Sequence, residues 1–294
     1  MKVKKITSPD VIKDPTPLQE TWYHLKKNKG AMVGLTIISI FVFMAIFAPL
    51  VSPFDPVAQV IEDRKTPMFT NGHIFGTDDL GRDMLSRIIY GARISMAIGV
   101  VSVGISLFFG IMIGVTSAYF GGLYDKIVMR IIDIMLAFPY ILLTIVIVSI
   151  LGPSLLNAMI AIGISQIPRY ARVVRASVLA EKEADYVLAE RALGAGNFEL
   201  MFLTILPNCL SPTIVQATLG VGEAILNSAG LSFLGLGAQP PTPEWGLMIA
   251  SSKEFITNAW WIVTLPGIAI LLAVLGFNLF GDGLRDILDP KMRN

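Results

Sequence analysis

RASVLAEKEADYVLAERALGAGNFELMFLTILPN, residues 175–208, is a polar run set between two stretches too apolar to be soluble loops. Its composition predicts helix, turn, helix. From about Glu183 to Leu193, a helix presents Tyr186, Ala189 and Leu193 on one face and Glu183 and Glu190 on another. Gly194 and Gly196 stop it, because glycine takes the left-handed backbone of a helix C-cap without steric cost. Asn197 is placed to cap a second helix, with Glu199 in its first turn. Two short helices around a tight turn make a rigid knob. A knob joined to two membrane spans can pass a push from a soluble partner into those spans.

The flanking sequence supplies the spans. Hydrophobic residues are 54% of the chain and charged residues 15%, against about 25% charged in a soluble domain, and the mean hydropathy is +0.67. Six segments are long enough to cross about 30 Å of hydrocarbon: residues 31–51, 94–117, 128–150, 155–170, 203–226 and 259–281. The expected fold is therefore an all-α polytopic membrane protein. About 30 polar residues precede the first span and no small-residue cleavage site follows it, so it reads as an uncleaved helix. With the N-terminus inside, the inner segments hold 17 of the 23 Lys and Arg residues and the outer segments six. That asymmetry, with an even number of spans, places both termini and the 175–208 run in the cytoplasm.

The remaining regions follow from this frame. Residues 1–30 form a cytoplasmic tail ending in a short helix, with Thr16 and Gln19 at capping-box spacing, Pro17 at the first helical position and Gly30 after the end. Leu18, Trp22 and Leu25 share a face, and Lys26, Lys27 and Lys29 add charge, so this helix lies along the inner lipid surface or packs on neighbouring spans. Residues 52–93 and 228–258 lie outside; residues 282–294 form a cytoplasmic tail. Asp133 and Arg130, three residues apart, read as a structural clamp. Glu223 either faces a translocation path, where it would meet a substrate ammonium, or sits at the outer interface in water, which is the preferred placement. Gly110 and Gly114 in GIMIG allow close helix approach. PPTPEW (residues 240–245) is an extended strut with Trp245 at the interface, or a turn.

Enzyme signatures are missing from the sequence: no G-x-x-x-x-G-K-[ST], no H-E-x-x-H and no G-x-S-x-G. One cysteine, Cys209, excludes an internal disulfide and a multi-thiolate metal site. Nothing in the charge pattern suggests nucleic-acid binding. An ion-coupled secondary transporter would need a relay of ionisable groups in its spans, and a membrane enzyme would need paired catalytic residues. Neither pattern is present. Energy, where used, comes from another chain.

The 175–208 run also resembles the EAA loop in the membrane subunits of ATP-binding-cassette importers: Glu-Ala-Ala, three residues, Gly, nine residues, Ile, one residue, Leu-Pro. Anchored on Gly194, the pattern falls on Leu188-Ala189-Glu190, Gly194, Thr204 and Leu206-Pro207. Ala189, Gly194 and Leu206-Pro207 match; Leu188 stands for the leading Glu and Thr204 for the Ile. GTDDLGRDMLSRIIYGARIS (76–95), GLSFLGLGAQPPTPEWG (230–246) and GDGLRDILDPK (281–291), with TPLQETW, NKGA and PNCLSPTIVQATLG, are similar to signatures of the peptide-importer permeases. That family takes in dipeptide, oligopeptide, nickel, glutathione and haem-precursor permeases, with the dipeptide branch nearest.

The resemblance implies a type I importer permease in a bacterial inner membrane. The chain would form half of a pore with a second homologous permease. Two ATPase subunits, carrying the ATP and magnesium, would bind below, and an extracytoplasmic solute-binding protein would deliver peptide. The chain itself would need no cofactor. Tyr186, Leu188, Ala189, Glu190, Arg191, Ala192, Leu193 and Gly194 would form the ATPase-coupling helix. The outer segments would form a docking surface or gate.

Overall fold

The computed structural model describes residues 17–288. The cap read at Thr16, the tail before it and the chain after Leu288 lie outside the described residues. Among the described residues the architecture is helical, with only isolated β-bridges at Thr70–His73 and Thr77–Asp83. Three helices are long and apolar enough to cross a membrane, or up to five if each of two bent pairs counts as one span.

The short helix α1 (Pro17–Lys27) is followed directly by α2 (Lys29–Val51). Asn28, not Gly30, is the punctuation: its side chain accepts a hydrogen bond from Ala31 N at 3.1 Å, and Gly30 lies inside α2. On α1, Leu25 is buried while Trp22 and Tyr23 stay exposed under the ammonium groups of Lys26 and Lys27. α1 also packs on the end of α11 (Trp260–Leu288).

The centre of the molecule is the pair α3 (Met84–Phe120) and α6 (Leu155–Glu181). α3 has 37 residues, about 55 Å at 1.5 Å per residue, and starts ten residues before the expected span. Gly110 and Gly114 permit the close approach that their spacing suggested. A Cβ at Gly110 would stand 2.4 Å from Tyr170 Cβ, and one at Gly114 2.7 Å from the Ala171 carbonyl. The Ser102 and Ser106 hydroxyls donate across to the Met159 and Gly163 carbonyls at 3.1 and 2.7 Å. Such contacts join helices where the surrounding lipid offers no hydrophobic drive. They also explain why α6 runs through Pro168 and past Tyr170 to Glu181: Ala171, Val174 and Val178 remain buried along the way.

Two expected spans are not straight. Residues 128–150 fall on α4 (Gly122–Ala137) and α5 (Tyr140–Leu151), bent by 94°. The break falls at Phe138 and Pro139, because proline drives the residue before it out of the helical region and Phe138 is extended at φ −87°, ψ 137°. Residues 203–226 cross a second break of 68° at Cys209. A π-helical run, Glu199–Ile205, leads through α8 (Leu206–Asn208) to this break, and α9 (Leu210–Phe233) continues beyond it. Pro212 has no N–H for the Asn208 carbonyl, and its ring crowds that group.

At the end of the bundle far from α7 (Asp185–Ala192), residues 52–83 fold over the start of α3. His73 Nδ1 meets Asp83 at 2.8 Å, and Asp83 caps α3 by accepting from Ser86 N at 2.7 Å. The Arg82 guanidinium donates to Asp78 at 2.6 Å, and Arg87 donates to the Pro56 carbonyl at 2.8 Å. Trp245 opens α10 (Trp245–Ser252) and is fully buried. It is therefore a core residue rather than an interfacial one: its indole donates to the Ile88 carbonyl at 3.1 Å and packs edge-on against Phe41. The preceding prolines make a turn, with Thr242 N bonded to the Gln239 carbonyl at 3.2 Å, and not an extended strut.

Candidate functional site

α7 (Asp185–Ala192) occupies the centre of the expected knob, slightly shorter than its sequence pattern suggested. It ends as glycine there predicts. Gly194 has φ +93°, Leu193 N and Ala195 N bond back to the Ala189 and Glu190 carbonyls at 3.0 and 3.1 Å, and a Cβ at Gly194 would meet nothing within 4 Å. The requirement for glycine here is one of backbone conformation, not space.

The helix is mounted by one apolar anchor and several polar ties. Val187 is fully buried in a small core with Val115, Ala118, Val174, Val178, Leu200, Met201, Ile205 and Cys209. The Tyr186 hydroxyl donates to Glu181 at 2.5 Å and accepts from Asn208 at 3.1 Å. Burial, with the Glu181 carboxylate beside it, pushes the Tyr186 hydroxyl up to about 12. The Thr204 hydroxyl donates to Glu190. Two of the departures from the EAA pattern thus have different meanings. Thr204 in the Ile position ties α7 to the next helix, while Leu188 in the leading Glu position is exposed. Asn197 does not cap the second helix; its side chain accepts from the Tyr119 hydroxyl at 2.8 Å.

α7 leaves a mixed surface outward, in which the charged Asp185, Glu190 and Arg191 flank apolar side chains. Leu188 and Leu193 are exposed, Leu193 at 87%, alongside Ala189, Arg191 and Ala192, with Phe198 and Leu203 continuing the surface. Glu190 is drawn aside by Thr204. The structure therefore gathers all eight residues of the expected coupling helix into one element or its cap. Val187, which holds that element in place, was hidden in the sequence by the equally apolar Leu188 beside it.

Glu223 lies elsewhere, on α9, paired with Arg169 of α6 at 2.6 Å. Arg169 is the first of three arginines spaced by three residues, each bonded to another helix. Arg172 reaches Asp133 at 2.6 Å and Arg175 reaches Asp125 at 2.6 Å. The clamp on Asp133 therefore comes from Arg172 rather than Arg130. The intrahelical partner read at i, i+3 lost to a planar guanidinium delivered from a facing helix. The signal for this ladder was the Arg169–Arg172–Arg175 spacing, obscured because the span was expected to end at Tyr170.

Fold and site together define a polytopic helical membrane protein with a rigidly mounted helical knob at one end. The chain belongs to the family described as binding-protein-dependent transport system inner membrane components, whose pattern matches residues 106–294. Residues 16–67 match the N-terminal TM domain of oligopeptide transport permease C. The di/tripeptide transport system permease protein DppC of Pseudomonas aeruginosa is 52% identical over 285 residues, 95% of this chain and 94% of that one. The dipeptide transport system permease protein DppC of Escherichia coli K12 is 51% identical over 299 residues, 99% of this chain and 100% of that one. The fold resembles inward-facing conformations of the MetNI methionine ABC transporter, with a TM-score of 0.56 at 20% identity over 70% of this chain and 98% of that one.

Proposed function

We propose that this chain is the permease subunit of an ATP-driven importer of dipeptides or short peptides in a bacterial inner membrane, forming half of the translocation pore with a second, homologous permease. The observation that carries this reading is α7: a short helix closed by a positive-φ glycine, fixed to the end of α6, to α8 and to the π-helical run, and presenting uncovered leucines. One of two partner ATPase subunits, which hold ATP and magnesium, docks there; the chain itself hydrolyses nothing. An extracytoplasmic binding protein delivers peptide to the opposite end. Near identity in length and about half identity in sequence with dipeptide permeases support the substrate class.

The α7 end is cytoplasmic in this reading, as the lysine and arginine distribution requires. α6 counts as a sixth span: its 27 residues cover about 40 Å, and its arginines are balanced by carboxylates from neighbouring helices. Both termini are then inside. When the ATPases close on ATP they move α7, and because Val187, Tyr186 and Glu190 bind it to α6, α8 and the π-helical run, those elements follow as a unit. Movement at α6 and α9 opens the pore outward, and hydrolysis resets it.

The test is reconstitution of both permeases, the ATPases and the binding protein in proteoliposomes. Import of a labelled dipeptide that requires ATP and every subunit supports the reading; import by the permeases without the ATPases contradicts it.

A further inference from the structure

The ion pair Arg169–Glu223 lies well inside the bundle. Arg169 is 14 residues from Leu155 and 12 from Glu181, the ends of α6, or about 21 and 18 Å. Glu223 is 13 residues from Leu210 and 10 from Phe233, the ends of α9. Both side chains are about half exposed. Charged groups at such a depth do not face hydrocarbon; they face protein or a water-filled path.

Beside this pair are groups that the described residues leave unsatisfied. Gln166, three residues before Arg169 on the same face of α6, is only 5% exposed. Both its amide nitrogen and its amide oxygen lack a hydrogen-bond partner among the described residues. The Tyr140 hydroxyl at the start of α5 is likewise buried without a well-formed hydrogen bond, although the Gln166 and Asn227 amides and the Glu223 carboxylate lie near it. A buried amide with neither bond made costs about 1–3 kcal/mol, so its presence here points to a ligand that bonds it for part of the transport cycle.

We infer that Gln166, Arg169 and Glu223, with Tyr140, form a subsite on the translocation path for a short zwitterionic peptide. This rests on the importer reading above and names the ligand of that path. The Gln166 carboxamide offers a donor NH2 and an acceptor oxygen, which can meet the C=O and N–H of a single peptide group. Arg169 takes the terminal carboxylate in a two-pronged contact, and Glu223 takes the terminal ammonium. Between transport events the two side chains neutralise each other, so no bare charge is left within the membrane. A dipeptide spans about 7 Å at most, so these long side chains part by a few ångströms to admit it and rejoin behind it.

The experiment is ATP-driven import of a labelled dipeptide by the full assembly, with Gln166→Leu and Arg169→Gln tested separately. Subunit co-purification and ATP hydrolysis stimulated by the binding protein are measured in parallel. Replacing a buried amide that bonds to nothing by a leucine is neutral or stabilising for the fold. Gln166→Leu is therefore expected to assemble and hydrolyse ATP like the parent while import falls about tenfold, and Arg169→Gln to lose import by about a hundredfold. Wild-type import by Gln166→Leu overturns the inference. So does failure of Gln166→Leu to join the second permease, which assigns the amide to that contact. A parent assembly that imports no dipeptide overturns the function beneath the inference instead.

Discussion

The two ends of the bundle solve opposite problems. At the end remote from α7, charged and aromatic groups are buried and paired: Asp78 with Arg82, His73 with Asp83, and the indoles of Trp245 and Trp261 on the carbonyls of Ile88 and Thr77. At the α7 end, the core is a small group of aliphatic side chains around Val187, and leucines and phenylalanines stay outside. The first end is cross-linked by these buried pairs, which hold the helices in register. The second leaves leucines and phenylalanines uncovered. The proposed function assigns stability to the first end and coupling to the second, and substitutions should separate them.

The largest expected effect is at the cross-linked end. Trp245→Ala empties a fully buried site and removes the donor to Ile88. A loss of about 3–5 kcal/mol is expected, read as a fall in melting temperature of the purified permease pair and in membrane abundance. Retention of both would mean that this end is not the stabilising one.

At the other end, Gly194→Val forces a β-branched residue to φ +93°, a local cost of about 1–2 kcal/mol. That is too little to prevent membrane insertion but enough to displace α7 on its mount. Normal abundance with weakened ATPase co-purification and lost dipeptide import is expected. Loss of abundance equal to that of Trp245→Ala would erase the distinction between the ends.

A pH dependence sharpens it. Burial raises the Glu244 carboxyl above the ordinary carboxylate value, although the N–H groups of Gly246 and Leu247 pull the other way. The folded state therefore holds this proton more tightly than the unfolded one. The resulting stabilisation is full below the unfolded value and is lost as pH rises through the higher folded value. Glu244→Gln should flatten that slope in melting temperature against pH, leaving ATPase binding unchanged. A slope unaffected by the substitution would assign it to another group.

Smaller still is Thr204→Ile, which restores the family's residue and deletes the tie to Glu190. About 1 kcal/mol or less is expected, visible as faster hydrogen exchange in α7 with the remote end unaltered. Equal protection in both proteins would remove Glu190 from the mount.

Much of this division was legible in the sequence. Apolar runs located α2, α3, α6, α9 and α11 along the chain, and Gly194 marked the stop of α7, because hydropathy and positive φ are local properties. Trp245 beside a run of prolines read as an interfacial anchor, yet its indole is sealed by Phe41 and by the start of α3, 157 positions earlier. Asp133 read as the partner of Arg130 because they share a helix, whereas Arg172 arrives from α6. The breaks at Pro139 and Cys209 turn two apolar runs through 94° and 68°, and hydropathy carries no direction. What sequence missed were contacts across the fold, and those build both the remote end and the Arg169–Glu223 subsite.

The central claim is that the uncovered face of α7 is where the driving partner binds, and Leu193 tests it most directly. At 87% exposure this side chain contributes almost nothing to the isolated fold. Leu193→Asp should leave the abundance and melting temperature of the permease pair within error of the parent. ATPase co-purification should fall at least about tenfold, since a charge replaces an apolar contact at a docked interface. ATPases retained at the parent level, with dipeptide import intact, would contradict the claim.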